Sequence, residues 1–147
     1  GCLAGGFVCQ KLNARVAYSV FGALMAAVTA AMALSPATTA VYVGYNLAYA
    51  FVTGLGYAAF SALVFDAIGR EGHAATKYNG FASLSNTPIW YVGLVLATAE
   101  THWGPAGMLY TESGLGVLGI AIFAIATALA PKPKAKADAA TAAPAAT

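Results

Sequence analysis

Apolar residues run along this chain in long blocks separated by short polar breaks. Val16–Leu34 is apolar except for Tyr18, Ser19 and Thr29. Further blocks run from Val41 to Phe65, Tyr78 to Ala99 and Ala106 to Ala130. A helix needs about 20 residues to cross a hydrocarbon core ~30 Å thick, and each block comes close to that length or exceeds it. The expected elements are spanning helices over about 16–34, 41–65, 78–99 and 106–130. The breaks expected between them are Ser35–Thr39, Asp66–Lys77 and Glu100–Pro105. Gly1–Cys9 is apolar but too short to span, and it reads as the tail of a helix that begins earlier. It lacks the charged leader and small-residue cleavage site of a signal peptide. Pro131–Thr147 is built of Ala, Pro, Lys and Thr with a lone Asp138, and reads as a disordered tail.

The second block is not uniformly apolar. Tyr42, Tyr45, Asn46, Tyr49, Thr53 and Tyr57 recur at spacings of three and four. On a helix they fall within an arc of roughly 120°. Lipid offers no partners for these polar tips, so the face should look at protein or water. It could line an aqueous cavity and hydrogen-bond a polar solute. It could also be interhelical glue, with Asn46 bonded across an interface. So many polar groups exceed what glue needs, which favours the cavity.

Composition agrees with the pattern. The chain of 147 residues is 60% hydrophobic and 8% charged, against about 25% charged in soluble domains. The placement of charge says more than its sum. All 7 basic residues fall on one side of four alternating spans. Lys11 and Arg15 precede the first, Arg70 and Lys77 lie between the second and third, and Lys132, Lys134 and Lys136 follow the fourth. The positive-inside rule makes that side, with the tail, cytoplasmic. His102, Trp103 and Tyr110 fall near the opposite boundary, where aromatic anchors are expected.

Candidate chemistry is sparse. Asp66 ends one helix and Lys77 opens the next, each disfavoured there by the helix dipole. Together with Arg70 they read either as a cytoplasmic gate that breaks during a conformational cycle or as a solvated loop. Pro88, within Ser83-Leu-Ser85-Asn86-Thr87-Pro88, marks a helix kink. Glu112 is the only carboxylate inside a span. It could carry a proton, but its expected shallow position suits a side chain reaching outer-interface water. The 2 cysteines, Cys2 and Cys9, read as small apolar packing residues. No set of side chains has metal-ligand spacing, and no cofactor or nucleic-acid partner is expected. No nucleophile with its base, P-loop or dinucleotide fingerprint is present, so an enzyme is not expected.

Gly6-Phe-Val-Cys-Gln10-Lys11-Leu-Asn13-Ala-Arg15, followed by a span, resembles the cytoplasmic loop motif of the major facilitator superfamily. Gly6, Lys11 and Arg15 fit that motif. Gln10 stands where the acid is expected, and Asn13 where a glycine is expected. Such degeneracy is common in the second copy, between the eighth and ninth helices. Phe65-Asp66, Ala74-Ala-Thr76-Lys77-Tyr78, Ser83–Pro88 and His102-Trp103-Gly104-Pro105 are similar to the muropeptide-permease branch, which includes acetyl-CoA carriers and drug transporters. The resemblance implies an all-α membrane protein. Residues 1–130 would be the end of the eighth helix and helices nine to twelve of a twelve-helix carrier, the earlier helices being missing here. It also implies alternating access, a small solute, proton-coupled symport, and a bacterial inner membrane. In that fold the tenth helix lines the cavity, and the Tyr42–Tyr57 stripe falls on it. A stand-alone four-helix membrane protein serving as a structural or assembly subunit is the alternative.

Overall fold

The computed structural model describes residues 1–69 and 73–129. Arg70 and the expected tail lie outside the described residues. Among those described there is no strand. The helices are α1 (Cys2–Lys11), α2 (Ala14–Leu34), α3 (Thr39–Ile68) and α4 (Ala74–Leu129). Three of them, α2, α3 and α4, are long and apolar enough to cross a membrane. This is an all-helical chain whose long apolar helices fit membrane insertion.

Local chemistry sets the helix ends. Asn13 caps α2, its side chain accepting from the Arg15 N–H at 2.9 Å. Pro36 disfavours a helical backbone at the residue before it. Ser35 is accordingly extended (φ −88°, ψ 154°), and α2 stops there. Thr38 caps α3, accepting from the Val41 N–H at 3.4 Å. Gly69 closes α3 with φ 70°, a conformation in which a Cβ would be strained.

The expected break over Glu100–Pro105 is much tighter than its sequence suggested. Helix continues through Trp103, and Gly104 alone leaves it (φ 71°, ψ −175°). Pro105 disfavours a helical Gly104, and glycine tolerates the positive φ that results. Pro105 then starts the next helical arm, where its missing N–H costs nothing. Pro88, in contrast, lies within helical backbone. The two arms of α4, 74–103 and 105–129, fold toward each other. Asn86 and Gly119 line one groove, whereas a straight helix would hold them about 50 Å apart.

α2 packs against both α3 and α4, and α1 packs against α3. Small residues allow the close contacts. A Cβ on Gly5 would come within 2.8 Å of Ala58 Cβ and 3.0 Å of Leu55 Cα. A Cβ on Gly116 would come within 3.3 Å of Ala26 Cβ. Ala17, Phe21, Leu55 and Ala59 form the buried cluster between α2 and α3.

Candidate functional site

The stripe on α3 divides into an inward-facing and an exposed set. Tyr45, Tyr49 and Thr53 are half-buried, while Tyr42, Asn46 and Tyr57 are exposed. Tyr45 and Ser35 hydrogen-bond through their hydroxyls at 3.0 Å, tying α3 to the end of α2. Thr53 donates to the Tyr49 carbonyl at 2.8 Å, with Met25 Sδ at 3.9 Å from the same hydroxyl. Asn46 reaches across no helix interface for its hydrogen bond; its amide donates to the Tyr42 carbonyl on its own helix at 2.8 Å.

Tyr49 makes the longest reach. Its hydroxyl donates to Glu112 Oε1 at 2.6 Å, joining α3 to the second arm of α4. Glu112 was expected to reach outer-interface water, and here it is half-buried and held by the phenol. Tyr49 lies about 15 Å along the axis from the start of α3, and Glu112 about 12 Å from Gly104. One residue further on, Ser113 donates to the Ala26 carbonyl of α2 at 2.9 Å. Thr29, buried on α2, donates to that carbonyl at 3.0 Å. The pair thus sits in a seam of polar bonds among α2, α3 and α4.

Two hollows flank the seam. A groove of about 720 Å³ lies toward the Arg15 end of α2. Polar side chains line it from three walls: Tyr18 and Ser19 from α2, Thr53 and Tyr57 from α3, Ser85 and Asn86 from the first arm of α4. Leu115, Gly116 and Phe123 of the second arm complete the wall. A second hollow of about 610 Å³ lies at the opposite end, bounded by the Ser35–Thr39 turn, Tyr42, Glu100 and Leu109. Along each helix the seam falls between the two. On α3, Tyr42 lines the second hollow and Thr53 the groove, with Tyr49 between. On α4 the order is Leu109, Glu112, Leu115.

The expected gate lies at the far end of the groove. Asp66 and Lys77 are both exposed, on the last turns of α3 and the first turn of α4. Arg70 lies outside the described residues. An aromatic clasp joins these helix ends. Phe65 stacks on Tyr78 with ring centroids 5.0 Å apart and 11° between planes. Ser61 Oγ lies 3.2 Å from the Tyr78 hydroxyl. Nothing in the sequence pattern pairs Phe65 with Tyr78.

The remaining expected residues sit apart from the seam. Gly6 faces open space on α1, Lys11 is exposed in its last turn, and Arg15 opens α2. Beside Pro88, Ser85 donates to the Ala82 carbonyl at 2.7 Å. Its hydroxyl therefore serves a different carbonyl from that of Leu84, the one proline crowds. His102 is exposed, its Nδ1 2.9 Å from the Thr98 carbonyl.

Sequence reading missed Ser35, Met25 and Ser113 as partners and misjudged the surroundings of Glu112. A carboxylate inside an apolar run was the available signal. The phenol that meets it lies 63 positions away, and no local spacing reveals such a contact. No family model matches the chain, and no curated protein and no solved structure matches it either.

Proposed function

We propose that this chain is the C-terminal part of a secondary active transporter of the major facilitator type. It crosses the bilayer four times and moves a small polar solute by alternating access, coupled to protons. The groove carries this reading. It is about 720 Å³ in volume, within the size range of small-molecule sites. Polar side chains from α2, α3 and the first arm of α4 line it within a mostly apolar wall. Polar groups on a membrane helix face protein or water, so their convergence favours a wet cavity over lipid contact. The loop motif Gly6, Lys11 and Arg15 supports the family, and the one-sided basic residues support a cytoplasmic Arg15 end, which makes the hollow by the Ser35–Thr39 turn the outer one. Asp66, Arg70 and Lys77 then serve as a gate at that end. The missing helices of the carrier would close the open side of the groove.

The test uses the protein as its gene encodes it, reconstituted into liposomes and screened with labelled polar solutes. Thr53→Val combined with Asn86→Ala removes polar tips from opposite walls. Uptake is expected to fall about tenfold or more, since each lost bond to solute is worth about 1 kcal/mol or more. Unchanged uptake of a transported solute overturns the assignment of the groove.

A further inference from the structure

Glu112 is a carboxyl in an apolar helical arm, and the basic residues of the chain are elsewhere. Between Pro105 and Leu129 there is no Lys, Arg or His. None occurs in α3, and Arg15 at the start of α2 is the only one in that helix. Along α3 the titratable neighbours are Tyr42, Tyr45, Tyr49 and Tyr57, with Asp66 near its far end. On α4 they are Tyr110 and, before the break, Tyr91, Glu100 and His102, with Lys77 and Tyr78 near its start. α2, packed against both, has no titratable side chain between Tyr18 and Leu34. A carboxylate deep in a bilayer without a cation is costly, so it takes a hydrogen-bond donor or a proton. Tyr49 supplies the donor at 2.6 Å.

We propose that Glu112, held by Tyr49, is a proton-binding site inside the membrane, linking the outer hollow to the groove. The inference rests on the transport reading for its purpose but on geometry for its place. About 12–15 Å of helix separates the pair from the outer turns, close to half of a ~30 Å core. The pair falls between residues that line the outer hollow and residues that line the groove, on α3 and on α4 alike. A proton from water in the outer hollow bonds to a carboxylate oxygen of Glu112 and cancels its charge. The Tyr49 phenol keeps its own proton throughout. The hydrogen bond survives by reversing direction, the new carboxyl O–H donating to the phenol oxygen. Release sends the proton to water in the groove and restores the carboxylate, with the phenol again donating. Two side-chain oxygens suit a proton and are too few for a hard metal cation, which takes about six. Among the described residues, no cluster of three or more His, Cys, Asp or Glu could hold a metal ion.

The experiment is an infrared pH titration of the gene-encoded protein in liposomes, with solute transport measured on the same preparation. The wild type is expected to show a pH-dependent protonated-carboxyl band that Glu112→Gln removes. Tyr49→Phe should keep the band and displace its midpoint about tenfold in proton concentration, as loss of a bond to a charged group does. In transport, Glu112→Gln should lose the response to a pH gradient while retaining solute exchange without one. A titration unchanged by Glu112→Gln overturns the site. So does a response to a sodium gradient, but not a pH gradient, that Glu112→Gln abolishes. If Glu112→Gln does not fold, Glu112→Asp is the second probe, and an unmoved midpoint in both it and Tyr49→Phe overturns the site. A band with the expected behaviour in a protein that transports no tested solute supports the proton site and counts against the transport reading alone.

Discussion

The two arms of α4 differ in what they touch. The arm after Gly104 packs on α2 through small residues and a few polar bonds. Gly116 fits against Ala26, Gly22 accommodates Ile120, Phe123 meets Tyr18 edge-on at 5.1 Å, and Ser113 bonds the Ala26 carbonyl. The arm before Gly104 presents large side chains outward: Phe81, Leu84, Ile89, Trp90, Tyr91, Leu94 and Val95 are all exposed. Its described contacts with α3 concentrate in Tyr78 at one end. Hydrophobicity does not explain this difference in packing, because lipid and protein interior are similarly apolar. Small residues do, by letting backbones approach until dispersion and hydrogen bonds act across the gap.

The sharpest way to break this comparison is to fill one glycine on each arm. Gly116→Leu should destabilise the protein by about 1–3 kcal/mol, because the added carbons must displace Ala26 and with it α2. Gly93→Leu, with open space around it, should change stability by less than about 0.5 kcal/mol. Unfolding midpoints in an SDS titration measure both. Equal losses would show that the first arm is packed as tightly as the second.

Next in size is the link between α3 and the second arm. Tyr49→Phe leaves Glu112 Oε1 without its phenolic donor and should cost about 1–3 kcal/mol in the same titration. Tyr57→Phe, whose ring is exposed on the groove, should be near neutral. Comparable losses would mean that the bond to Glu112 adds nothing to the seam. Smaller still is Ser113→Ala. It removes the bond to the Ala26 carbonyl, and interhelical bonds of this kind average about 0.6 kcal/mol in membranes. The smallest effect belongs to Ser85→Ala on the first arm. Its hydroxyl bonds only within its own helix, and its loss should fall within about 0.5 kcal/mol.

Much of the helical plan was legible in the chain itself. Pro36 ended α2 and Thr38 began α3 for local reasons, and the expected blocks at 16–34 and 41–65 lie within Ala14–Leu34 and Thr39–Ile68. Gly104-Pro105 marked a break, but the expected turn was wider than the single residue that leaves the helix. The site was legible only as a stripe. Periodicity placed Tyr45, Tyr49 and Thr53 on one face with Tyr42, Asn46 and Tyr57, yet half of that set turns inward and half stays exposed. An arc of roughly 120° is wider than one helix contact, and its two edges meet different surroundings.

What the sequence determined, then, is whatever depends on near neighbours. Runs of apolar residues set the helices, caps and prolines set their ends, and basic residues collect in the segments assigned to one side. Only the tertiary structure decided which polar groups meet. Ser35 with Tyr45, Ser113 with Ala26, Phe65 with Tyr78 and above all Tyr49 with Glu112 are contacts between helices. Local spacing fixes the direction of a side chain about its own axis. The partner it finds depends on how two helices approach, and that is set by where small residues let them close.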